Sequence, residues 1–311
     1  MESVRALTPA GVWESRRLPG SGAGVSPDRM LIGSEGIPGV ITDAWVRVRP
    51  RPIHRSSAAV LFPDFQTGAE AVRALSQSDL HPASCRLVDP VEARITGAGD
   101  GGAALLVLGF ESAAYDMEPW MTVALAICGQ HGGSGERRGQ AGPGGSAGPA
   151  DSWRQAFPRA PYLRDTFVAM GIISETFETA ITWERFPEFH RSVTERTTEA
   201  VRELCGAGTV TWRFTHVYPD GPAPYYTVLA PAQRGEELEQ WAQIKQATAD
   251  AVLAGGGTIT HHHAVGRDHR PWYDRQRPDP FALGLRAAKA ALDPSGALNP
   301  GVLIDPLRGP A

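Results

Sequence analysis

One segment determines the architecture predicted for this chain and reads Ile172-Ile173-Ser174-Glu175-Thr176-Phe177-Glu178-Thr179-Ala180-Ile181-Thr182. Its residues Ile173, Glu175, Phe177 and Thr179 alternate with their neighbours, and a period of two is typical of a strand. Beyond it, the patterns predict a helix over 187–205, strands over 209–218 and 225–229, and a helix over 236–254. Strands and helices in this alternation indicate an antiparallel sheet covered by helices, which is an α+β fold.

The same alternation begins near residue 57. Strands are predicted over 58–62, 84–88 and 103–110, and helices over 67–76 and about 114–128. The next segment, 129–150, is rich in glycine and contains almost no apolar side chain that could pack. We therefore expect a flexible loop over 129–150.

The first 52 residues have a different pattern. Short strands are predicted over 3–8, 11–16 and 44–48, and the connections between them are rich in glycine and proline. These residues resemble the end of a domain more than its beginning. Pro50 and Pro52 close the segment, and linkers between domains are often rich in proline. The sequence thus predicts two domains, residues 1–52 and residues 53–311.

Composition limits the classes of function. With 30 Lys and Arg against 34 Asp and Glu in 311 residues, the formal charge is −4, which disfavours a nucleic-acid partner. Cys85, Cys128 and Cys205 are widely separated, which argues against a disulfide framework and for a reducing, cytoplasmic compartment. The apolar stretches are far shorter than the ~20 residues that cross a bilayer, and the first residues do not read as a signal peptide. Peripheral contact with a membrane stays open.

Three adjacent histidines, His261, His262 and His263, follow the glycines at 255–257. Each imidazole has two ring nitrogens that need partners when buried, so the cluster favours a pocket over a core. On the short strand predicted here, His261 and His263 share one side while His262 faces away. Metal sites usually take ligands from separated positions, so we expect no metal. A half-exposed, hydrogen-bonded strand is the competing interpretation.

A glycine-rich segment near the N-terminus reads Asp28-Arg29-Met30-Leu31-Ile32-Gly33-Ser34-Glu35-Gly36-Ile37-Pro38-Gly39-Val40-Ile41-Thr42. It resembles the flavin-contacting segment that ends the FAD-binding domain of FAD-linked oxidases of the vanillyl-alcohol oxidase, or PCMH, type. Successive glycines let backbone amides approach a ligand closely. The resemblance implies FAD as the cofactor, contacted by Glu35, Gly36, Ile37, Pro38, Gly39, Val40 and Ile41. Relatives usually have Thr-Leu or Ile-Leu at positions 37 and 38, where the proline of this chain removes a backbone donor.

Further motifs, in the same order along the chain, resemble alkyldihydroxyacetonephosphate synthases and their bacterial relatives. These motifs are Tyr162-Leu163-Arg164-Asp165, Glu175-Thr176-Phe177-Glu178-Thr179-Ala180 with Trp183, Tyr225-Tyr226-Thr227, the three histidines, Leu292-Asp293-Pro294 and Leu298-Asn299-Pro300-Gly301. The resemblance implies that residues 1–52 are the C-terminal remnant of a PCMH-type FAD-binding domain. Residues 53–311 would then form an antiparallel-sheet cap domain covered by helices. Since the family's flavin domain begins with a long N-terminal portion, we expect weak or absent FAD retention by this chain in isolation.

The same resemblance implies an enzyme of ether-lipid synthesis with a small lipid-phosphate substrate. It replaces the acyl chain of acyl-dihydroxyacetone phosphate by a fatty alcohol without net oxidation, and a homodimer with peripheral membrane contact is expected. Two alternatives stay open. One is an FAD-linked oxidase or dehydrogenase of a hydroxy acid or alcohol, since one architecture supports many chemistries. The other is a non-catalytic remnant.

Tyr225 is the proton donor and acceptor that the resemblance implies. A phenol suits this role only if nearby cations lower its pKa from ~10, and residues 261–263 are the cations expected to do so. Tyr226 is the competing candidate, because strand alternation lets only one of the two tyrosines face a pocket. A core tyrosine on a strand is the interpretation without catalysis.

Two arginines complete the implied site. Arg164 matches the family's substrate-contacting arginine, and a guanidinium offers paired hydrogen bonds to a phosphate headgroup. Arg86 matches an arginine that family members require near the flavin. Ion pairs with Asp165 or Glu178 for Arg164, and with Asp89 for Arg86, are the alternative interpretations.

Glu175 and Glu178 form a candidate pair of carboxylates. On a strand, residues three apart face opposite sides, so a shared acid–base role is disfavoured. We expect structural roles for both.

Overall fold

The computed structural model describes residues 3–18, 24–138 and 160–305, and the chain forms two compact units. The sheet unit is Arg51–His261, and the terminal unit is Met1–Pro50 together with His262–Ala311. The first break falls at the prolines that predict the domain boundary. The units differ from the predicted domains in residues 262–311, because these join the N-terminal segment through buried contacts such as the hydrogen bond from Lys289 Nζ to Ile37 O (2.7 Å).

The described residues contain ten strands and nine helices. The strands are β1 (Ser3–Thr8), β2 (Gly11–Glu14), β3 (Val40–Trp45), β4 (His54–Phe62), β5 (Ser84–Val88), β6 (Ala104–Ser112), β7 (Ser134–Arg138), β8 (Ile172–Glu178), β9 (Thr209–Val217) and β10 (Pro222–Pro231). The helices are α1 (Asp28–Leu31), α2 (Phe65–Ser76), α3 (Pro90–Ile95), α4 (Glu118–Gln130), α5 (Ala160–Ala169), α6 (Phe186–Cys205), α7 (Glu237–Ala254), α8 (Arg270–Gln276) and α9 (Asp279–Leu292).

A seven-stranded sheet forms the centre of the sheet unit. Its strands lie in the order β7-β4-β6-β5-β9-β10-β8, and every neighbouring pair is antiparallel. Helices pack against this sheet, which confirms the predicted α+β fold. Because β5 and β9 are joined by a single residue pair, Val88 with Arg213, the two halves of the sheet meet at that point.

One face of the sheet, named here the helix-covered face, carries the main hydrophobic core. Helices α2, α4, α6 and α7 supply apolar side chains that pack against alternate residues of the strands, including Phe62, Phe214 and Tyr226. Asp64 caps the start of helix α2, where its carboxylate accepts a hydrogen bond from the backbone N–H of Thr67 (2.7 Å). Each large apolar side chain buried in this way contributes roughly 1.5–3 kcal/mol. This face accounts for most of the apolar packing of the sheet unit.

The opposite face, named here the polar face, has a small apolar cluster and a larger polar region. Helix α3 covers the cluster formed by Val88, Ala93, Ala98, Leu105 and Val107. Side chains of β8, β9 and β10 on this face are mostly polar. The period-two alternation thus separates an apolar side of each strand from a polar side.

The structure also corrects the predictions for residues 129–150 and for residues 261–263. The predicted loop over 129–150 begins with the end of α4 and contains β7, which pairs with β4; residues 139–150 lie outside the described residues. Backbone hydrogen bonds hold this edge strand, so it needs few apolar side chains. The strand predicted at the three histidines is wrong, because residues 261–263 form a bend. There the N–H of His261 donates to the carboxylate of Glu178 (2.6 Å), so this backbone donor does not pair with a strand.

Five helices, α1, α3, α5, α8 and α9, are not predicted from the sequence. They are short or lie next to proline-rich segments, and α3, α8 and α9 have proline in their first turn. Proline at this position is a helix-start signal, because its fixed φ suits the first turn and its missing N–H would have no partner there. Strand β3 spans Val40–Trp45, so it begins before the strand predicted over 44–48.

The terminal unit contains a three-stranded antiparallel sheet in the order β2-β1-β3, together with α1, α8 and α9. Val4, Ala6 and Leu31 form one small core beside this sheet. A second core joins the N-terminal and C-terminal parts of the unit and consists of Ile37, Val265, Val302, Leu303 and Ile304. Among the described helices, none combines the length and apolar character that a membrane span requires.

Candidate active site

Polar side chains form a row across four neighbouring strands on the polar face. Arg213 of β9 lies opposite Tyr225 of β10, and Tyr225 lies opposite Glu178 of β8. Val88 of β5 lies opposite Arg213 on its other side, and Arg86, two residues before Val88, faces the same way. Arg86, Arg213, Tyr225 and Glu178 are named here the polar row. It combines two cations, one phenol and one carboxylate on one surface.

The two adjacent tyrosines face opposite sides of the sheet. Tyr226 is fully buried in the main core, where it stacks on Phe177 (ring centroids 4.7 Å apart) and its hydroxyl lies 3.0 Å from His190 Nδ1. Burial raises the pKa of Tyr226 and lowers the pKa of His190 to about 4. Tyr225 is half-buried on the polar face. Of the two, Tyr225 is therefore the tyrosine that can meet a substrate.

Arg213 is the member of the polar row that the sequence does not single out. Its guanidinium carbon lies 3.9 Å from the centroid of the Tyr225 ring, which is within cation–π range. It also forms an ion pair with Glu92 of α3. A guanidinium from the neighbouring strand is thus a cation beside the phenol, where the sequence predicts the imidazoles of residues 261–263. The available signal is the alternation of β9, whose apolar residues at 210, 212 and 214 assign Arg213 to the other face.

Glu178 links the end of the polar row to the first histidine. Its side chain is buried, and its Oε1 accepts hydrogen bonds from the N–H of His261 (2.6 Å) and from Thr260 Oγ1 (2.8 Å). Its Oε2 lies 3.6 Å from His261 Nδ1. The His261 ring also neighbours His216 of β9, with ring centroids 5.6 Å apart. Glu178 therefore fixes the backbone of His261 and places a carboxylate oxygen near its ring.

The other two histidines belong to the terminal unit. The ring centroids of His262 and His263 lie 4.8 Å apart. The predicted strand does not form here. The prediction that His261 and His263 share one side while His262 faces away therefore loses its basis. Within the sheet unit, His261 is the histidine of the three that the structure brings to Glu178, and the catalytic roles of all three stay predictions.

Glu175 lies on the opposite face from Glu178, as strand alternation predicts. Its Oε1 pairs with Lys245 Nζ of α7 (2.9 Å), and its Oε2 accepts a hydrogen bond from Trp241 Nε1 (2.6 Å). This buried contact attaches α7 to β8. Glu175 thus has a structural role on the helix-covered face.

The two predicted arginines lie in different surroundings. Arg86 is half-buried on β5 and belongs to the polar row. Arg164 lies on the exposed surface of α5, and the structure does not bring it into the polar row. Asp89, the alternative partner of Arg86, accepts a hydrogen bond from the N–H of Val91 (2.8 Å) and caps α3.

The predicted flavin segment forms a turn in the terminal unit. Glu35 Oε1 and Oε2 accept hydrogen bonds from the backbone N–H groups of Val265 (2.7 Å) and Gly266 (2.8 Å). Lys289 Nζ of α9 donates to the carbonyl of Ile37 (2.7 Å). The turn is therefore fixed by the C-terminal part of the same unit, and the Glu35 carboxylate serves this contact.

Lys289 is the centre of a buried polar cluster. Its Nζ also donates to Leu298 O (2.7 Å) and to the carboxylate of Asp293. The hydrogen bond from Lys289 lowers the pKa of Asp293 to about 2. The side-chain amide of Asn299 donates to the carbonyl of Glu35. The two C-terminal motifs thus act together to hold the flavin segment.

Exposure differs along the flavin segment. Residues 37–39 are buried within the terminal unit, and a Cβ on Gly39 would lie 2.7 Å from Leu7 O. Val40 and Ile41 are exposed, at 58% and 43%. Two exposed apolar side chains next to a glycine turn fit a flat aromatic cofactor such as FAD. Contacts with FAD at all seven predicted positions stay predictions.

Residues 51–303 match the sequence family described as FAD linked oxidases, C-terminal domain. The chain belongs to the FAD-linked oxidase family. This is an enzyme family, and its cofactor is FAD. The matched residues include every strand of the seven-stranded sheet and the whole polar row.

Two curated relatives show which members of this family the chain is similar to. It is 26% identical over 319 residues to an alkyldihydroxyacetonephosphate synthase of Trypanosoma brucei brucei, covering 97% of this chain and 52% of that protein. It is 23% identical over 289 residues to glycolate oxidase subunit GlcD of Bacillus subtilis (strain 168), covering 91% of this chain and 58% of that protein. The chain spans about half the length of the curated relatives it matches.

A solved structure shares the fold. An alkyldihydroxyacetonephosphate synthase superposes with a TM-score of 0.73 at 20% identity, covering 96% of this chain and 52% of that chain. At this identity the match shows the fold alone. It agrees with the predicted architecture of an antiparallel sheet covered by helices.

Proposed function

We propose that this chain carries the substrate-facing part of an FAD-dependent alkyl transferase. The reaction replaces the acyl chain of acyl-dihydroxyacetone phosphate by a fatty alcohol, as in ether-lipid synthesis. The observation that supports this most is Tyr225, which lies on the polar face between Arg213 and Glu178. The synthase relative, matched along 97% of the chain, supports the substrate class.

Each member of the site has a role in this proposal. In the exchange, the carbon–oxygen bond to the acyl group breaks and a carbon–oxygen bond to the alcohol forms, so no net oxidation occurs. Tyr225 Oη takes a proton from the substrate carbon and returns it. Arg86 supplies positive charge beside it, and both Arg86 and His261 offer hydrogen-bond donors. FAD, when bound, would supply an electron-poor ring that holds an electron pair of the substrate carbon and returns it before the product leaves, so that no net oxidation occurs.

The substrate phosphate needs a fixed cation. We propose Arg164 for this role, since a guanidinium binds phosphate through paired hydrogen bonds and the exposed α5 leaves its side chain accessible. Arg164→Met should raise KM for the phosphate substrate with little change in kcat. An unchanged KM would show that Arg164 does not bind the substrate phosphate.

The reaction is tested on the purified chain with excess FAD, acyl-dihydroxyacetone phosphate and a deuterated long-chain alcohol. Mass spectrometry should detect the deuterated alkyl product and the released fatty acid in equal amounts. The Bacillus subtilis relative favours a second candidate, a hydroxy-acid oxidase. Bleaching of the flavin by a 2-hydroxy acid, with no alkyl product, would establish that candidate instead.

A third outcome is a chain that binds no flavin. The visible spectrum after removal of free FAD tests this, because stoichiometric flavin absorbance would contradict a non-catalytic remnant. A remnant of that kind should also lack the exchange reaction.

We also propose a homodimer, peripheral membrane contact and a reducing compartment. Cys85, Cys128 and Cys205 are free thiols, which suits a reducing compartment. The molar mass by light scattering should be twice that of the chain, and part of the protein should sediment with phospholipid vesicles. A monomer that stays in the supernatant would contradict the first two proposals.

A further inference from the structure

We propose that Arg213 is a positioning residue for Tyr225 and is itself held by Glu92 of α3. The consequence for catalysis rests on the function proposed above. The contact itself is a property of the sheet unit and can be measured without flavin or substrate.

Arg213 covers the ring of Tyr225. The two residues are cross-strand partners on β9 and β10, and the guanidinium carbon lies 3.9 Å from the ring centroid. Directly opposite side chains of an antiparallel pair lie close enough to pack without a change in the backbone. A planar cation on one face of the phenol resists tilting and flipping of the ring. Tyr225 Oη is therefore directed by its neighbour on the next strand.

Glu92 fixes the other side of Arg213. The Glu92 carboxylate pairs with the guanidinium, and the two side chains are 6% and 12% exposed. In a buried pair, removing one partner leaves an uncompensated charge, so alternative positions of Arg213 are unfavourable. The guanidinium is thereby confined between a carboxylate and an aromatic ring.

Asp89 completes a rigid frame around Arg213. Its carboxylate caps α3, the helix that carries Glu92, and also accepts a hydrogen bond from the N–H of Trp212 (3.0 Å). The N–H of Asp89 in turn donates to Trp212 O (3.0 Å). Helix α3 is thus attached to the residue directly before Arg213. The position of Glu92 relative to Arg213 is set by backbone contacts as well as by the ion pair.

This frame predicts a specific kinetic effect. A proton donor displaced by about 1 Å from its productive position loses roughly a hundredfold in rate, whereas substrate binding is less affected. Loss of Arg213 should therefore lower kcat by about ten- to a hundredfold and change KM by less than about threefold. Lysine at position 213 keeps the charge but not the planar group, so Arg213→Lys should not restore kcat.

The contact is tested by incorporating 3-fluorotyrosine at position 225 of the whole chain and recording its ¹⁹F NMR spectrum. In the unchanged protein the signal should be displaced from its position in the unfolded chain. Arg213→Met should move it toward the unfolded position while the melting transition remains cooperative. The matched control is Arg55→Met, which removes an exposed ion pair with Glu111 on the same sheet (3.5 Å) and should leave the signal unchanged.

An Arg213→Met spectrum identical to that of the unchanged protein would overturn the proposal. If that variant does not fold, Glu92→Gln decides, because it keeps the shape of the side chain and removes its charge. A Tyr225 signal that moves toward the unfolded position in Glu92→Gln supports the frame. A signal at the same position as in the unchanged protein refutes it. The proposed function has a separate test. It fails if Tyr225→Phe leaves the alkyl exchange intact, and this outcome does not depend on the NMR result.

Discussion

Tyr225 and Tyr226 are adjacent in the chain, yet the two faces of the sheet give them opposite surroundings. Tyr226 lies in an apolar core, with its hydroxyl against the half-buried ring of His190. Tyr225 lies between the side chains of Arg213 and Glu178 on the polar face. The difference shows that one strand divides its side chains between two surroundings: the helix-covered face packs the unit, and the polar face presents ionisable groups.

The first prediction compares the two tyrosines in stability. Tyr226→Ala removes a fully buried aromatic ring and should cost about 3–5 kcal/mol. Tyr225→Ala removes a half-buried ring and should cost about 1 kcal/mol. Urea unfolding followed by tryptophan fluorescence measures both free energies. Equal losses would mean that the two faces do not differ as described.

The second prediction concerns acid stability and His190. Burial lowers the pKa of this imidazole to about 4, below its unfolded value of about 6.5, so the native state binds fewer protons. The stability it contributes is fully present above pH 6.5 and is lost as the pH falls toward 4, by an amount on the order of 3 kcal/mol. His190→Phe should flatten this part of the pH–stability curve, and His54→Gln should not. A curve unchanged by His190→Phe would show that the imidazole is not buried in its neutral form.

The third prediction concerns the cluster around Lys289 in the terminal unit. This cluster is polar but buried, and so differs from both faces of the sheet. Asp293 has its pKa lowered to about 2, so its contribution to stability is present above pH 4 and is lost as the pH falls toward 2. Asp293→Asn should cost about 2 kcal/mol at pH 7. Hydrogen exchange at residues 35–37 should rise in this variant, since Lys289 also holds that turn. Unchanged hydrogen exchange at residues 35–37 would show that the cluster does not stabilise the flavin segment.

The fourth prediction concerns the start of α2 on the helix-covered face. Asp64→Ala removes the acceptor for the N–H of Thr67 and should cost about 1 kcal/mol. Asp64→Asn keeps an acceptor and should cost less. Thermal unfolding of the two variants checks the order, and a reversed order would exclude capping as the cause.

The faces of the strands could be predicted from the sequence, because side chains alternate with a period of two. This rule alone separates Tyr225 from Tyr226 and Glu175 from Glu178. The family motifs also predict the position of the flavin segment and make Tyr225 the candidate proton donor. Both signals are local in the chain, which is why the sequence contains them.

The neighbours across the sheet could not be predicted in the same way. Arg213 meets Tyr225 because β9 lies next to β10, and Glu92 reaches Arg213 from α3, 121 residues earlier in the chain. The bend at His261 depends on the carboxylate of Glu178, which lies 83 residues earlier. Strand order and side-chain contacts of this kind arise from tertiary packing, and no local pattern records them.

The most direct measurement compares the alkyl-exchange rates of Tyr225→Phe and Tyr226→Phe in the FAD-supplemented chain. Each variant loses one hydroxyl, so the pair controls for ring size and for position along the strand. Tyr225→Phe should lower kcat by roughly 10²–10⁴-fold, the usual contribution of a proton donor. Tyr226→Phe should stay within about threefold of the unchanged chain, with a modest loss of stability. Full activity in Tyr225→Phe, or an equal loss in both variants, would contradict the assignment of chemistry to the polar face.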